Sequence, residues 1–388
     1  MSPYKAGQTF AADVAYAIER SVDLPRLRSV VGERVDECVR DERIANAQRV
    51  LIGGSGDSLF AALSVAPAFC RWTGVHTDAR TAMELSRYET PQLDARDLVI
   101  SVSNSGSSSR ARETVLLAKS RGATTLAVTG SLTGALARQA DLVIHRPVND
   151  VPELPAFYGR CFLNLAEYLA VLYALYAFAL ALGVKHKRLT PQAQAARLQA
   201  IEGAILAHAQ IAARIEPDIM KLAKDLDGID TIWAIGAGPS RGTAQYSAAK
   251  FHEQLPINGI GGDLEEWAHL EYFLTLKWGR RSVVMVIAPP GNSLDRAREL
   301  VAGIQGAGGR AIVVNAGAER AFPQPFARVD LEYEIEEWLS PLVYHLPAQL
   351  LVLHMAARAG VDHIPRRRTD DGWLIAKGIV LESASTLS

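Results

Sequence analysis

Short apolar runs alternate with helical patterns along this chain, and the alternation predicts its architecture. After helical material to about Ala47, residues 49–53 (RVLIG) form a strand-like run. It ends in Gly53-Gly54-Ser55-Gly56-Asp57-Ser58, and a helix is expected from Leu59. Residues 75–78 are short and extended, and residues 82–88 have a helical pattern. Residues 98–102 are apolar and β-branched, as in a buried strand. That run breaks at Ser103 into Asn104-Ser105-Gly106 and three more serines. From Arg110 the pattern turns helical, with Val115, Leu116 and Ala118 on one side. The expected elements that follow are a helix over 111–121, a strand over 124–128, a helix over 135–139 and a strand over 142–145. Strands and helices joined by short Gly/Ser loops predict a parallel, doubly wound α/β sheet. Ligands on such sheets bind at the carboxyl ends of the strands, where both polar loops fall.

The pattern then recurs. Beyond helices expected over 156–182 and 193–223, the run 231–235 enters Gly236-Ala237-Gly238-Pro239-Ser240, the same strand-then-glycine figure. Residues 283–288 lead through Pro289-Pro290-Gly291-Asn292-Ser293 into Arg296-Ala297-Arg298-Glu299. The first half has Arg110-Ala111-Arg112-Glu113 in the matching place, and Gly308-Gly309-Arg310-Ala311 echoes Arg121-Gly122-Ala123. Two copies of one α/β unit account for this, with the boundary between Lys185 and Gln210. The expected division is an arm and helix over 1–30, a first domain over 31–190, a second over 210–360 and a tail over 361–388.

Only the first copy keeps its serines. Six of the seven residues 103–109 carry a hydroxyl or an amide. A strand, a small polar loop and a helix start place converging N–H groups and the positive end of a helix dipole at one point, which suits an anion. Serine and asparagine are also ordinary helix caps, but six such side chains exceed what a cap needs. The loop matches neither G-x-x-x-x-G-K-[ST] nor G-x-G-x-x-G, so a nucleotide is not indicated.

Bulk properties narrow the partners. The 388 residues allow two domains of ordinary size, each with its own core. Net charge is −1 and no run of five like charges occurs, which argues against nucleic acid and anionic membrane as partners. Cys38, Cys70 and Cys161 have no metal-type spacing, and three cysteines make no disulfide framework, so a reducing cytoplasm is expected. The N-terminus lacks an apolar signal core. Residues 168–182 are apolar throughout, but fifteen residues are too few to span a bilayer, so a buried helix is expected.

IGGSGDS, SVSNSGSSSRARE and the internal duplication together resemble the double sugar-isomerase (SIS) domain family. Within it the pattern is most like the isomerase half of the glucosamine-6-phosphate synthases, over about residues 40 to 385. The resemblance implies two tandem flavodoxin-like SIS domains, each a parallel sheet flanked by helices, and phosphosugar ligands. It also implies a homodimer in which one subunit can contribute to its partner's site. The synthases hold phosphate with a Ser-Gln-Ser-Gly-x-x-Thr loop and a serine of the first glycine turn. Carried over, these positions are Ser103, Asn104, Ser105, Ser108 and Ser58; asparagine for glutamine and serine for threonine preserve the hydrogen-bonding chemistry.

The second half carries AAKFHEQLPINGIGGDLEEWAHLE, where Lys250 and Glu253 share a helix face. The resemblance places the isomerisation glutamate on Glu253, its neighbouring lysine on Lys250 and the ring-opening histidine on His269. Ala376-Lys377-Gly378 matches the tail that carries the family's active-site lysine. Taken alone, a Lys–Glu pair at this spacing is an ordinary surface salt bridge and a lone histidine is more often packed than catalytic. This chain departs from the family in reading His269-Leu270-Glu271 for His-Gly-Pro, and in its basic tail Arg366-Arg367-Arg368. It also begins Met1-Ser2-Pro3, without the cysteine nucleophile or the room for a glutaminase domain.

The expected activity is therefore aldose–ketose isomerisation of a hexose or aminohexose carrying a terminal anion, 6-phosphate first and 6-sulfonate second. Arg110 and Arg112 stand as additional cations near the loop. The aldose–ketose chemistry needs a ring-opening proton carrier, a carboxylate base and electrostatic support for an enediol, and no metal or cofactor. A deaminase or deglycase of a 6-phospho-ketosamine is the alternative enzyme, and a non-catalytic sugar-phosphate sensor the alternative of another class. The apolar stretches 168–182 and 340–360 are expected to serve self-association.

Overall fold

A computed structural model describes residues 9–149, 159–317 and 322–360, without the side chains of 159–163. The chain forms two compact units. One holds residues 20–149 and 163–202, the other residues 9–19, 159–162 and 203–360.

The first unit contains five parallel strands: β1 (Arg49–Gly54), β2 (His76–Thr81), β3 (Asp97–Ser103), β4 (Thr124–Thr129) and β5 (Leu142–His145). Their order is β2-β1-β3-β4-β5. β3 and β4 are buried along their whole length, which is why their sequences run apolar without alternation. The second unit contains β6 (Thr231–Gly236), β7 (Asn258–Asp263), β8 (Val283–Ile287), β9 (Arg310–Asn315) and β10 (Ala327–Asp330), in the order β7-β6-β8-β9-β10. The two sheets thus share one topology. The duplication read from the sequence is a duplication of fold.

Its signature extends to single dihedrals. Gly56 caps the helix Asp57–Thr73 with φ 56° and ψ −133°, and Gly238 caps the helix Pro239–Gln254 with φ 53° and ψ −128°. Positive φ at both turns favours glycine, so the two GxG figures are one backbone solution used twice.

Several elements differ from the sequence expectation. The helix expected over 82–88 is a short α-helical turn, Ala82–Glu84, followed by a π-helical segment, Leu85–Glu89. The helix expected over 193–223 is two helices, Pro191–Leu206 and His208–Asp225. β7 was not expected, because Gly259, Gly261 and Gly262 make it look like a loop. Two of those glycines are needed for packing: a Cβ on Gly259 would collide with the Ala248 carbonyl, and one on Gly261 would lie 2.5 Å from the Gln245 Cα.

The apolar run 168–182 lies in a 27-residue helix, Gly159–Lys185. Its stretch Asn164–Lys185 is long and apolar enough to cross a membrane, and 94% of the tested window is buried inside the protein. Residues 168–182 and the helix Leu346–Ala359 (through Ala357) are buried in the chain itself, so they offer no exposed face for self-association. The N-terminal segment also has a partner that the sequence did not show. The backbone N–H groups of Phe10 and Ala11 both donate to the Glu216 carboxylate, and Phe10 packs edge-on against His354 at 4.7 Å.

Candidate functional site

In a 2-1-3-4-5 sheet the chain reverses its winding between the first and third strands, so their carboxyl ends open a crevice. In the first unit these are β1 and β3, and the loops that leave them are the two polar loops. Gly53 pairs with Ser101 in the register just below. Ser58 lies in the first turn of the helix after β1 and is half-buried. Ser103 closes β3 and is buried at 6% exposure, Asn104 is half-buried and Ser105 is exposed. The five predicted anion ligands therefore lie on, or directly beside, the two loops that leave β1 and β3 at the switch point.

Local chemistry shapes the second loop. Gly106 has φ 66°, and Gly134 approaches it so closely that a Cβ there would lie 3.0 Å from the Gly106 Cα. The Ser105 hydroxyl lies 2.8 Å from that of Ser107 and accepts the Ser107 N–H at 3.3 Å, so the turn is internally tied. Ser108 is the N-cap of the helix Ser109–Ser120, yet its side chain makes no capping bond. Its hydroxyl is not consumed by the helix, and the helix supplies free N–H groups and dipole at the same point.

Asn104 is fixed from both ends. Its backbone carbonyl accepts from Gly130 N–H at 3.0 Å and from the Thr129 hydroxyl at 3.2 Å, while its side-chain Oδ1 accepts from the Arg146 guanidinium. Arg146 was not singled out in the sequence. The available signal was an arginine directly after a strand, at the carboxyl edge where ligands bind.

Arg110 has a carboxylate partner on its own helix. It pairs with Glu113, one helical turn on, whose buried carboxylate also accepts from Arg87 at 2.8 Å and Ser86 at 3.2 Å. The i, i+3 spacing puts Arg110 and Glu113 on one face of that helix. Arg112 is half-buried, and among the described residues its Nε has no hydrogen-bond partner.

In the second unit, Lys250 and Glu253 lie near the end of the helix Pro239–Gln254. The Lys250 ammonium is 3.0 Å from Glu253 Oε2 and 4.3 Å over the ring of Tyr246. Lys250 is buried (1% exposed), while the Glu253 side chain is 37% exposed. This is not the solvated surface pair that the spacing alone suggests. A buried cation anchors a carboxylate that remains accessible. Behind it lie His345, whose ring is 5.4 Å from Tyr246, and His208, 5.5 Å from His345. Burial pushes the His208 imidazole down to about 4 and the His345 imidazole well below its ordinary value, so both are neutral near pH 7.

His269 ends the short helix Leu264–His269, which Asp263 caps by accepting the Glu265 N–H at 2.8 Å. Its side chain is 68% exposed and its Nε2 lies 3.3 Å from Glu265, which also pairs with Arg296. Among the described residues His269 contacts neither Lys250 nor Glu253. The structure brings the lysine and glutamate together and gives the histidine to Glu265. Lys377 lies outside the described residues.

Residues 43–180 match the family model described as SIS domain. The chain is 28% identical over 322 residues to a glutamine–fructose-6-phosphate aminotransferase (isomerizing) of Methanothermobacter thermautotrophicus, covering 83% of this chain and 50% of that one. It thus spans about half the length of the curated relatives it matches. Among solved structures it is similar to the C-terminal domain of glucosamine-fructose-6-phosphate aminotransferase from Francisella tularensis, with TM-score 0.73, 17% identity and coverage of 92% and 99%. It is also similar to tagatose-6-phosphate ketose/aldose isomerase from Escherichia coli, with TM-score 0.66, 17% identity and coverage of 94% and 96%. Residues 43–180 are thus similar to an SIS domain, and the two parallel five-stranded sheets share the fold of these solved structures.

Proposed function

We propose that this chain is an aldose–ketose isomerase for a hexose or aminohexose with a terminal anion, most simply a 6-phosphate. The observation that carries the reading is the Lys250–Glu253 pair, an accessible carboxylate held at 3.0 Å by a buried ammonium. Aldose–ketose interconversion moves one proton between adjacent carbons. A carboxylate fixed in one orientation suits that task, and a nearby ammonium favours the negative charge that develops on the enediol oxygen. The relative from Methanothermobacter thermautotrophicus, whose name includes the isomerizing step, and the fold shared with a ketose/aldose isomerase both support this reading.

In this reading Ser58, Ser103, Asn104, Ser105 and Ser108 hold the terminal anion, so binding energy far from the reacting carbons orients C1 and C2. Glu253 carries the proton, and Lys250 supports charge. His269 serves ring opening, and Lys377 keeps its role on family resemblance alone. The protein acts as a homodimer with shared sites. Leu270, Phe273 and Leu276, at 63%, 50% and 58% exposure, lie in the segment just after His269, and exposed apolar side chains of this kind mark contact surfaces.

The test is incubation of the full chain with glucose, glucosamine, fructose and tagatose 6-phosphates and a 6-sulfonate sugar in deuterated water, followed by NMR. Deuterium entering at C1 or C2 with conversion of aldose to ketose is expected. Ammonia release from the aminosugar would instead indicate the deaminase. Binding without exchange across the whole panel would indicate a sensor.

A further inference from the structure

Arg146 is an unusual residue to find beneath an anion loop. Its guanidinium is 1% exposed at the carboxyl end of β5, and its Nη2 donates to Asn104 Oδ1. Among the described residues its Nε has no hydrogen-bond partner and the guanidinium forms no ion pair. Burial pushes the Arg146 guanidinium down to about 10, opposed by the more distant charge of Glu167. A buried charge without a directly paired countercharge is costly. If the fold needed only a donor for Asn104, a neutral side chain would serve at less cost.

The backbone is shaped around this contact. A Cβ on Gly130 would lie 2.8 Å from Asn104 Oδ1 and 3.5 Å from Arg146 Nη2, so glycine is what lets the two groups meet. The backbone N–H of Arg146 donates to Thr129 at 3.0 Å, and Thr129 and Gly130 in turn hold the Asn104 carbonyl. The consequence for Asn104 follows from the donor inventory. A guanidinium has donors only, so it must face the amide oxygen, and the two amide N–H donors of Asn104 are then turned away from it.

We propose that Arg146 is a positioning residue of the anion site: it fixes Asn104 with its N–H donors toward the ligand and supplies the buried positive charge that a bound tetrahedral oxyanion neutralises. This rests on the reading of residues 103–108 as the anion loop. It extends that reading by adding a charge behind a loop whose own ligands are neutral, and by explaining why an asparagine carries the central position. Substrates with a terminal anion are thereby favoured over neutral sugars.

Calorimetric titration of the full chain with glucose 6-phosphate and with inorganic sulfate, at several salt concentrations, tests it. Arg146→Met should weaken glucose 6-phosphate binding about tenfold or more, as loss of a charge-assisted contact does, and should flatten its salt dependence. Arg146→Lys should recover part of the affinity, because charge returns without the planar fork. Asn104→Leu should weaken binding comparably, and the double variant should lose less than the sum of the two, since the residues act as a unit. Folded Arg146→Met with wild-type affinity and salt slope overturns the inference and leaves the isomerase reading standing. If Arg146→Met does not fold, Asn104→Leu decides: wild-type binding in that variant overturns the inference. Sulfate binding that depends on Arg146, without any hexose 6-phosphate binding, supports the inference and removes the sugar reading. A wild-type protein that binds neither probe overturns both.

Discussion

The Glu337 carboxylate accepts the Asn292 backbone N–H at 3.1 Å and the Asn292 side-chain amide at 3.0 Å. Asn292 lies in the loop after β8, the counterpart in the second sheet of the serine loop after β3. A Cβ on Gly291 would fall on the Glu337 carboxyl group, so this loop is formed around that side chain. The duplicated unit thus keeps a strand-end loop that holds a carboxylate, and in the second copy the carboxylate belongs to the protein. The matching loop of the first copy carries neutral hydroxyls and amides, with Arg146 bound to its Asn104.

The first prediction follows from that relationship. Glu337→Ala should destabilise the protein by about 1–2 kcal/mol, the low range for hydrogen bonds to a charged acceptor because this pair is partly solvated. Inorganic sulfate should raise the melting temperature of Glu337→Ala more than that of the wild type, because two donors are left facing a vacated carboxylate position. Equal sulfate shifts in a thermal melt would show that the loop has no anion affinity of its own.

Ser105→Ala combined with Ser108→Ala should weaken capture of a hexose 6-phosphate about a hundredfold or more, at roughly 1.5–3 kcal/mol per bond to a charged group. Stability should fall little. Ser108 makes no side-chain cap, so the usual loss of about 1 kcal/mol for removing an N-cap does not apply. Calorimetric titration and a thermal melt on the same sample separate the two effects. Unchanged affinity would place the anion elsewhere.

Glu253→Gln keeps shape and hydrogen bonding and removes the base, so turnover should fall by about two to four orders of magnitude with affinity nearly intact. His269→Asn should slow the cyclic substrate more than its open-chain form. Because His269 is exposed and apart from Glu253, mixing the two impaired variants under conditions of subunit exchange should raise turnover of the cyclic substrate above that of either alone if sites are shared between copies. No recovery in subunits shown to exchange would confine each site to one chain. Full turnover in folded Glu253→Gln moves the base to another carboxylate, with Glu266 next.

Acid should destabilise the second unit in two steps. His208, held down to about 4, and His345, held well below its ordinary value, are neutral in the folded protein. The unfolded chain binds these protons from about pH 6.5 downward. Stability is therefore fully present above that pH and declines as pH falls toward the folded values. Glu216 adds a second loss. Burial works against its charge, but the bonds from His354, Phe10 and Ala11 prevail and hold its carboxyl below the usual range. That contribution is complete above the unfolded value of about 4.3 and is lost as pH falls through the folded one. Urea unfolding across pH 3–8 checks both, and Glu216→Gln should abolish the lower step while exposing residues 9–21 to proteolysis.

The sequence by itself determined the sheet and its repetition. Strand signals at residues 49, 98, 124, 142, 231 and 283 arise from local apolar runs. The GxG figures at Gly54–Gly56 and Gly236–Gly238 fix their own positive-φ turns, and the serine loop is contiguous, so one stretch of chain carries it whole. Lys250 and Glu253 are also within one helical turn. What the tertiary structure decided was environment and distant partners. Burial, invisible in a helical i, i+3 spacing, turns Lys250 from a surface cation into an anchor. β7 escaped notice because its glycines answer to the helix packed against them, which no local propensity records. Arg146 reaches Asn104 across 42 positions, and Glu216 reaches Phe10 across 206. Contacts of that separation are set by strand order and packing, and only the folded chain places those side chains together.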